Sequence, residues 1–312
     1  MSASTETRSL WLEILQSTGR IKGVNSGHFR VLSILFVLPI FFTLVVYPYF
    51  HLAVFHPDYD FTTFTQPQLS HFFVSNFEIF LLLMFTFFVF LFFLCDVATI
   101  TYSTVHASYG RHINLVSSIK SIRNSFFPLL STFIVSQTIF ISITLLFALV
   151  LVLLSQTLQT LGLVELKYDL NHFLFLVFAL IVLVPVLIWL QVNWSLAYVV
   201  AVVESKWGFE TLRRSAHLVK GMRSVALSVM LFYLVMVETV GGSSMYLVTM
   251  GTAKGEQMLQ MLESSVMGYV MMNQYLMGNA VLYMYCKDLN DETLPFEIGD
   301  EFGNEYVSLN MV

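Results

Sequence analysis

Charge is what this sequence has least of. Asp, Glu, Lys and Arg make up 11% of its 312 residues, against roughly 25% in a soluble globular domain. With 57% hydrophobic residues and a mean hydropathy of +0.76, an ordinary soluble globule is excluded. Cysteine is nearly absent as well. Cys95 and Cys286 are the two thiols. Both fall near the expected cytosolic ends of membrane spans, so no structural disulfide is expected. The apolar runs are continuous, and the lack of strict polar–apolar alternation argues against a transmembrane barrel. Also lacking is a catalytic or cofactor signature: no His, Asp or Ser constellation clusters on one membrane face, and no enzyme is expected. The first long apolar run starts near Arg30 and is too long for a cleavable signal, so it reads as an uncleaved anchor.

What is present is a series of runs near or above the roughly 20 apolar residues that cross a bilayer. Spans are expected at about 31–52, 73–104, 126–154, 172–203, 225–250 and 263–286. Pro39 should kink the first and Pro185 should interrupt the fourth, while Pro128 suits the first turn of the third. Bases crowd alternate connections. The amino-terminal arm has four, the second connection three, the fourth five and the tail one; the first, third and fifth have zero, one and one. The positive-inside rule then puts both termini in the cytosol. The organisation expected is an arm over 1–30, a six-span all-α bundle over 31–286 and an acidic tail over 287–312. Residues 1–9 read as polar and unstructured. Endoplasmic reticulum, other endomembrane and plasma membrane all remain open. Nothing implies a cofactor or a nucleic-acid partner.

Three cytosolic segments carry apolar residues at helical spacing. In the arm these are Leu10, Trp11, Ile14, Thr18 and Ile21. In 108–125 they are Ile113, Val116, Ile119 and Ile122, and in 204–224 Phe209, Leu212, Ala216 and Val219. Each reads as an amphipathic helix on the membrane face. Their bases Lys120, Arg123, Lys206, Arg213, Arg214, Lys220 and Arg223 would meet anionic headgroups, at about 1 kcal/mol per base. The junctions with the following spans repeat. Lys22-Gly-Val-Asn-Ser, Lys120-Ser-Ile-Arg-Asn-Ser and Lys220-Gly-Met-Arg-Ser lie 98 and 100 residues apart. Tyr109-Gly110 aligns with Trp207-Gly208. A surface helix followed by a two-span hairpin, copied three times, accounts for this.

The stretch Trp194-x-x-Ala197, Val203-Glu204, Gly208, Leu212-Arg213-Arg214-Ser215, Leu218 and Gly221 resembles the glycerophosphoryl diester phosphodiesterase membrane domain. The phenylalanine-rich spans and acidic tail look most like the uncharacterised multi-spanning plant families related to it. The resemblance is specific over about thirty residues. It implies a six-helix membrane module with cytosolic linkers. It does not imply phosphodiesterase activity, which in those bacterial proteins belongs to a separate soluble domain.

Glu238, expected mid-span, is the candidate intramembrane polar site, with Asn193, Gln191, Asn273, Gln274 and Asn279 as possible partners. A carboxylate there calls for an interhelical hydrogen bond or a proton or cation path. Asp96 and Glu204, near cytosolic span ends, should reach interfacial water or the basic linkers. His51, His56, Asp58, Asp60 and His71 crowd the first non-cytosolic loop without matching a defined metal site. Asn193-Trp194-Ser195 fits a glycosylation acceptor but lies within a span. Tyr306-Val-Ser-Leu309 has the form of a sorting signal, and Met267–Met284 reads as soft packing. The function expected is a non-enzymatic membrane module in endomembrane organisation, trafficking or signalling, with a small-solute transporter or channel as the alternative. A polar cavity reaching Glu238 would favour transport, and a tightly packed bundle the module.

Overall fold

The computed structural model describes residues 2–36, 39–40, 76–111, 113–160, 170–249 and 254–290. Regular structure among them is entirely helical, as the apolar periodicity requires. The chain runs through α1 (Ser2–Val24), a turn at Asn25 and a helical stretch 26–36. It continues with α2 (Asn76–Ser108), α3 (Leu115–Thr160), α4 (Leu170–Asn193) and α5 (Ala197–Val203). Then come α6 (Gly208–Leu218), a 3₁₀ turn (Val219–Gly221), α7 (Arg223–Thr249) and α8 (Lys254–Leu289). Among the described residues, three helices are long and apolar enough to cross a membrane. There are up to four if the pair 208–221 and 223–239, bent by 104°, is one span.

The structure corrects several sequence expectations. Helix α1 begins at Ser2, where an unstructured 1–9 was expected. Its stripe is as read: Ile14 and Thr18 are buried, with Leu10, Trp11 and Ile21 packed against the core. The basic segment ahead of the third apolar run is no separate surface helix. From Leu115 it forms the first turns of a single 46-residue helix, about 70 Å long, well beyond a hydrocarbon core of about 30 Å. Its inward face is also different. Val116 and Ile119 are exposed, whereas Ser118, Ser121, Ser125 and Thr132 are buried. Pro185 sits inside α4 without ending it; the interruption falls at 194–196 instead. Helix α7 continues unbroken through Gly241–Ser244.

The core lies toward one end of the bundle. Val97 and Ile100 of α2, Val199 and Val200 of α5, Val225 and Val229 of α7, and Leu282 and Tyr283 of α8 are buried there with Ile14 of α1. The opposite halves of α2, α3 and α4 are apolar but exposed, as at Phe77, Leu83, Leu145, Leu149 and Ile181. Such surfaces are disfavoured by water at about 25 cal/mol per Å² and match lipid instead. Helices α7 and α8 pack along each other, as do α2 and α3. Rings at Tyr233 and Tyr275 meet edge-on across the first pair, 5.8 Å apart. The early part of the first expected span, 31–36 and 39–40, is helical. Its remainder, the His51–His71 loop and the tail beyond 290 lie outside the described residues.

Candidate functional site

The stretch 193–215 builds a joint: a turn at 194–196 interrupts the apolar helical stretch 181–203, and after 204–207 the chain continues as α6. At a helix end the last carbonyls lose their partners and must find others. The Ser215 hydroxyl supplies one, donating to the Asn193 carbonyl at 2.8 Å. The Asn193 side chain donates back to the Trp189 carbonyl at 2.6 Å. Nothing in Asn-Trp-Ser-Leu is a strong helix breaker, and the hydrogen bond from α6 is a tertiary contact that can favour the break. Helix α6 comes close to α3 because its first residue is glycine. Gly208 has φ +51°, and a Cβ there would meet the Ser131 Oγ at 3.0 Å and the Val135 side chain at 3.2 Å. That backbone conformation and that spacing both require the missing side chain.

Glu204 secures the same joint electrostatically. Arg214 Nε lies 3.1 Å from its Oε2, Lys206 Nζ lies 3.7 Å away, and the Tyr283 hydroxyl of α8 donates to Oε1 at 2.9 Å. The glutamate side chain is 5% exposed, so the ion pairs and the tyrosine replace the water it has lost. The local ion pairing read from the sequence is present, but it sits in the packing and not in interfacial water. Lys206 also pairs with Glu210 at 3.3 Å.

The inward stripe of α6 is Gly208, Thr211, Leu212, Ser215 and Leu218. This corrects the expected Phe209–Leu212–Ala216–Val219 stripe in phase: Phe209 is exposed, though Leu212 and Val219 are buried as expected. Small side chains face in because close backbone approach gains more dispersion contact than one bulky residue would. Facing out are Trp207, Phe209, Arg213, Lys220 and Arg223. Arg223 stands 6.0 Å above the Trp189 ring. Lys120 and Arg123 are exposed on the first turns of α3.

A second polar group lies between α2 and α8. Asp96 is 1% exposed and accepts a hydrogen bond from the Tyr269 hydroxyl at 3.1 Å. It is buried with a tyrosine and does not reach the basic linkers, a correction to its expected position. One turn from Tyr269, Asn273 is buried, and neither atom of its amide reaches hydrogen-bonding geometry with a described residue. Tyr269 lies 173 positions away in the chain, so no local pattern marked it.

Glu238 occupies the exposed face of α7. Among the described residues no hydrogen bond links it to Asn193, Asn273, Gln274, Gln191 or Asn279. Asn193 belongs to the joint and Asn273 to the neighbourhood of Tyr269, while Gln274 is half-buried on α8. Among the described residues, the polar site expected around Glu238 is therefore not assembled by hydrogen bonds to it.

A third polar contact ties the arm to the bundle. His28 Nε2 lies 3.0 Å from the Ser103 hydroxyl and 3.3 Å from that of Ser118, and the two serines are 2.9 Å apart. Burial lowers the His28 pKa below the usual imidazole value. Both cysteines are free, with Cys286 buried beside Met222. Among the described residues no group of three or more His, Cys, Asp or Glu could hold a metal ion.

Beside the joint is a cavity of about 70 Å³ between α3, α4, α5 and α6. Thr132, Ser136, Ala197 and Leu212 form its buried floor. Gln137, Phe140, Gln191, Trp194 and Tyr198, all half-buried, form its mouth. Glu238 does not line it.

No curated protein and no solved structure matches this chain. One family model does, over residues 21–309, which takes in the joint, the buried acid and the cavity alike. The chain belongs to the family described as a domain of unknown function, DUF8558.

Proposed function

We propose that this protein is a six-span, non-enzymatic membrane module with both termini in the cytosol. In this reading its basic linkers engage anionic headgroups and serve membrane organisation, trafficking or signalling. The observation that carries the reading is the two-sided character of 204–224. One side is packed against the bundle through Gly208, Thr211, Ser215 and Leu218. The other presents Trp207, Phe209, Arg213, Lys220 and Arg223. Aromatic rings beside bases are the composition of a membrane–water interface. The uneven distribution of bases between alternate connections supports the topology. The Lys22, Lys120 and Lys220 junctions support a three-fold repeat of surface helix plus hairpin. The likeness of 194–221 to the glycerophosphoryl diester phosphodiesterase membrane domain points the same way.

The test is hydrogen exchange over 204–224 in nanodiscs of anionic or zwitterionic lipid. Slower exchange with anionic lipid is expected, and a combined Arg213→Gln, Lys220→Gln, Arg223→Gln variant should remove the difference. Equal exchange in both lipids would remove the lipid-binding part of the proposal.

Transport of a small solute is the second reading, favoured by one observation: a carboxylate buried in an apolar helix, at Asp96, beside Tyr269 and Asn273. Intramembrane acids of this kind mark ion or proton paths in transporters. A flux in proteoliposomes that Asp96→Asn abolishes, with folding retained, would replace the first reading by the second.

A further inference from the structure

The cavity beside the 194–196 break has a chemistry of its own. None of its described lining residues is charged, so it is not built for an anion or a cation. Both hydroxyls of its floor donate to carbonyls of α3 and leave their oxygens as acceptors, with Ser136 also bonded to the Tyr198 phenol. The Thr132 hydroxyl spends its proton on the Pro128 carbonyl at 2.8 Å, and Ser136 donates to Phe133 at 2.9 Å. The mouth can both donate and accept. Gln137 and Gln191 approach it from α3 and α4, and neither amide hydrogen-bonds to another described residue. Both amides are half-buried and line the cavity, so a ligand or water held there can bond to them. The Phe140 and Trp194 rings, edge to face at 5.4 Å, make one wall.

Size and surroundings narrow the occupant. A volume of about 70 Å³ admits a hydroxyl-bearing head or a few waters. It does not admit a whole lipid. Outside the mouth the same helices expose Ile134 and Ile141 on α3, and Val184 two turns before Gln191 on α4. A ligand with a small uncharged hydroxylated head and a long apolar body fits both regions. Its hydroxyl proton would go to the Thr132 or Ser136 oxygen, and its oxygen would accept from a glutamine amide.

We propose that this cavity binds the hydroxyl head of an uncharged membrane lipid, with the lipid's apolar body lying along α3 and α4. The cavity takes one lining residue, Leu212, from the packed side of 204–224, away from that segment's exposed bases, and requires only that the chain reside in a membrane. Three lipid classes share this chemistry: sterols, diacylglycerols and ceramides.

The test uses the full chain in phosphatidylcholine nanodiscs, with a photoactivatable sterol, diacylglycerol or ceramide in separate arms. At least one probe should crosslink to peptides containing 132–140 or 191–198. That labelling should saturate and be competed by the same unlabelled lipid, but not by phosphatidylserine. A Gln137→Leu, Gln191→Leu double variant should reduce it roughly tenfold, the loss expected for two ligand hydrogen bonds. No labelling of these peptides in any arm would mean that the cavity holds water only and would overturn the proposal. Labelling that rises in proportion to probe without saturating would overturn it as well. Competition on the unmodified protein decides the matter should the double variant fail to fold. Loss of exchange protection at 204–224 would leave this result untouched, so the two proposals fail separately.

Discussion

The Ser215 hydroxyl donates to the Asn193 carbonyl across 2.8 Å and 22 residues. The end of α4, within the apolar helical stretch 181–203, is thereby joined to α6. Ser215→Ala should leave that buried carbonyl without a side-chain donor and cost about 1–3 kcal/mol. Thermal unfolding in detergent would show a lowered midpoint for this variant. Ser117→Ala, at an exposed position on α3, should leave the midpoint in place. Equal midpoints for the two variants would mean that the break is stabilised elsewhere.

Glu204 and Arg214 should behave as one unit. Removing Arg214 leaves the buried Glu204 with only Lys206 at 3.7 Å and the Tyr283 hydroxyl, at a cost of up to roughly 3 kcal/mol, and neighbours of this kind are not additive. Glu204→Gln and Arg214→Gln should each destabilise, and the double variant should cost clearly less than their sum. Additive losses in a double-mutant cycle would reduce the pair to two independent charges.

His28 predicts a pH dependence. Burial lowers its pKa in the folded chain, so the unfolded chain takes up a proton first as pH falls. Its contribution is therefore intact above the ordinary imidazole value of about 6.5 and is lost as pH drops through the lowered folded value. Melting followed between pH 7.5 and pH 5 should show stability falling toward acid. His28→Gln, which keeps hydrogen-bonding capacity without titrating, should flatten part of that slope. An unchanged slope would assign the effect to other groups.

The helical class and the membrane-compatible lengths were legible in uninterrupted apolar runs, and so was the Ile14–Thr18 face of α1. The inward faces of α3 and α6 were not. Apolar periodicity picks the stickiest side of a helix, but Ser118, Ser121, Thr211 and Ser215 are buried because small side chains permit close approach. Proline was equally misleading. Pro185 is accommodated within α4, while the break at 194–196 follows Asn193, whose carbonyl is bonded by a serine 22 residues onward. Asp96 stood out as an acid in an apolar helix, yet its partner Tyr269 is brought beside it by tertiary packing alone. The cavity was hidden for a like reason. Gln137 and Gln191 are unremarkable singly and line one cavity only where α3 meets α4 and α5.

The account depends most on which side of the bilayer each connection occupies. Cysteine placed at Asp58 in one variant and at Lys220 in another can be probed with a membrane-impermeant maleimide in sealed vesicles of known orientation. Labelling of the two positions from opposite sides is the predicted result. Labelling of both from the same side would contradict the alternation on which the proposed topology rests.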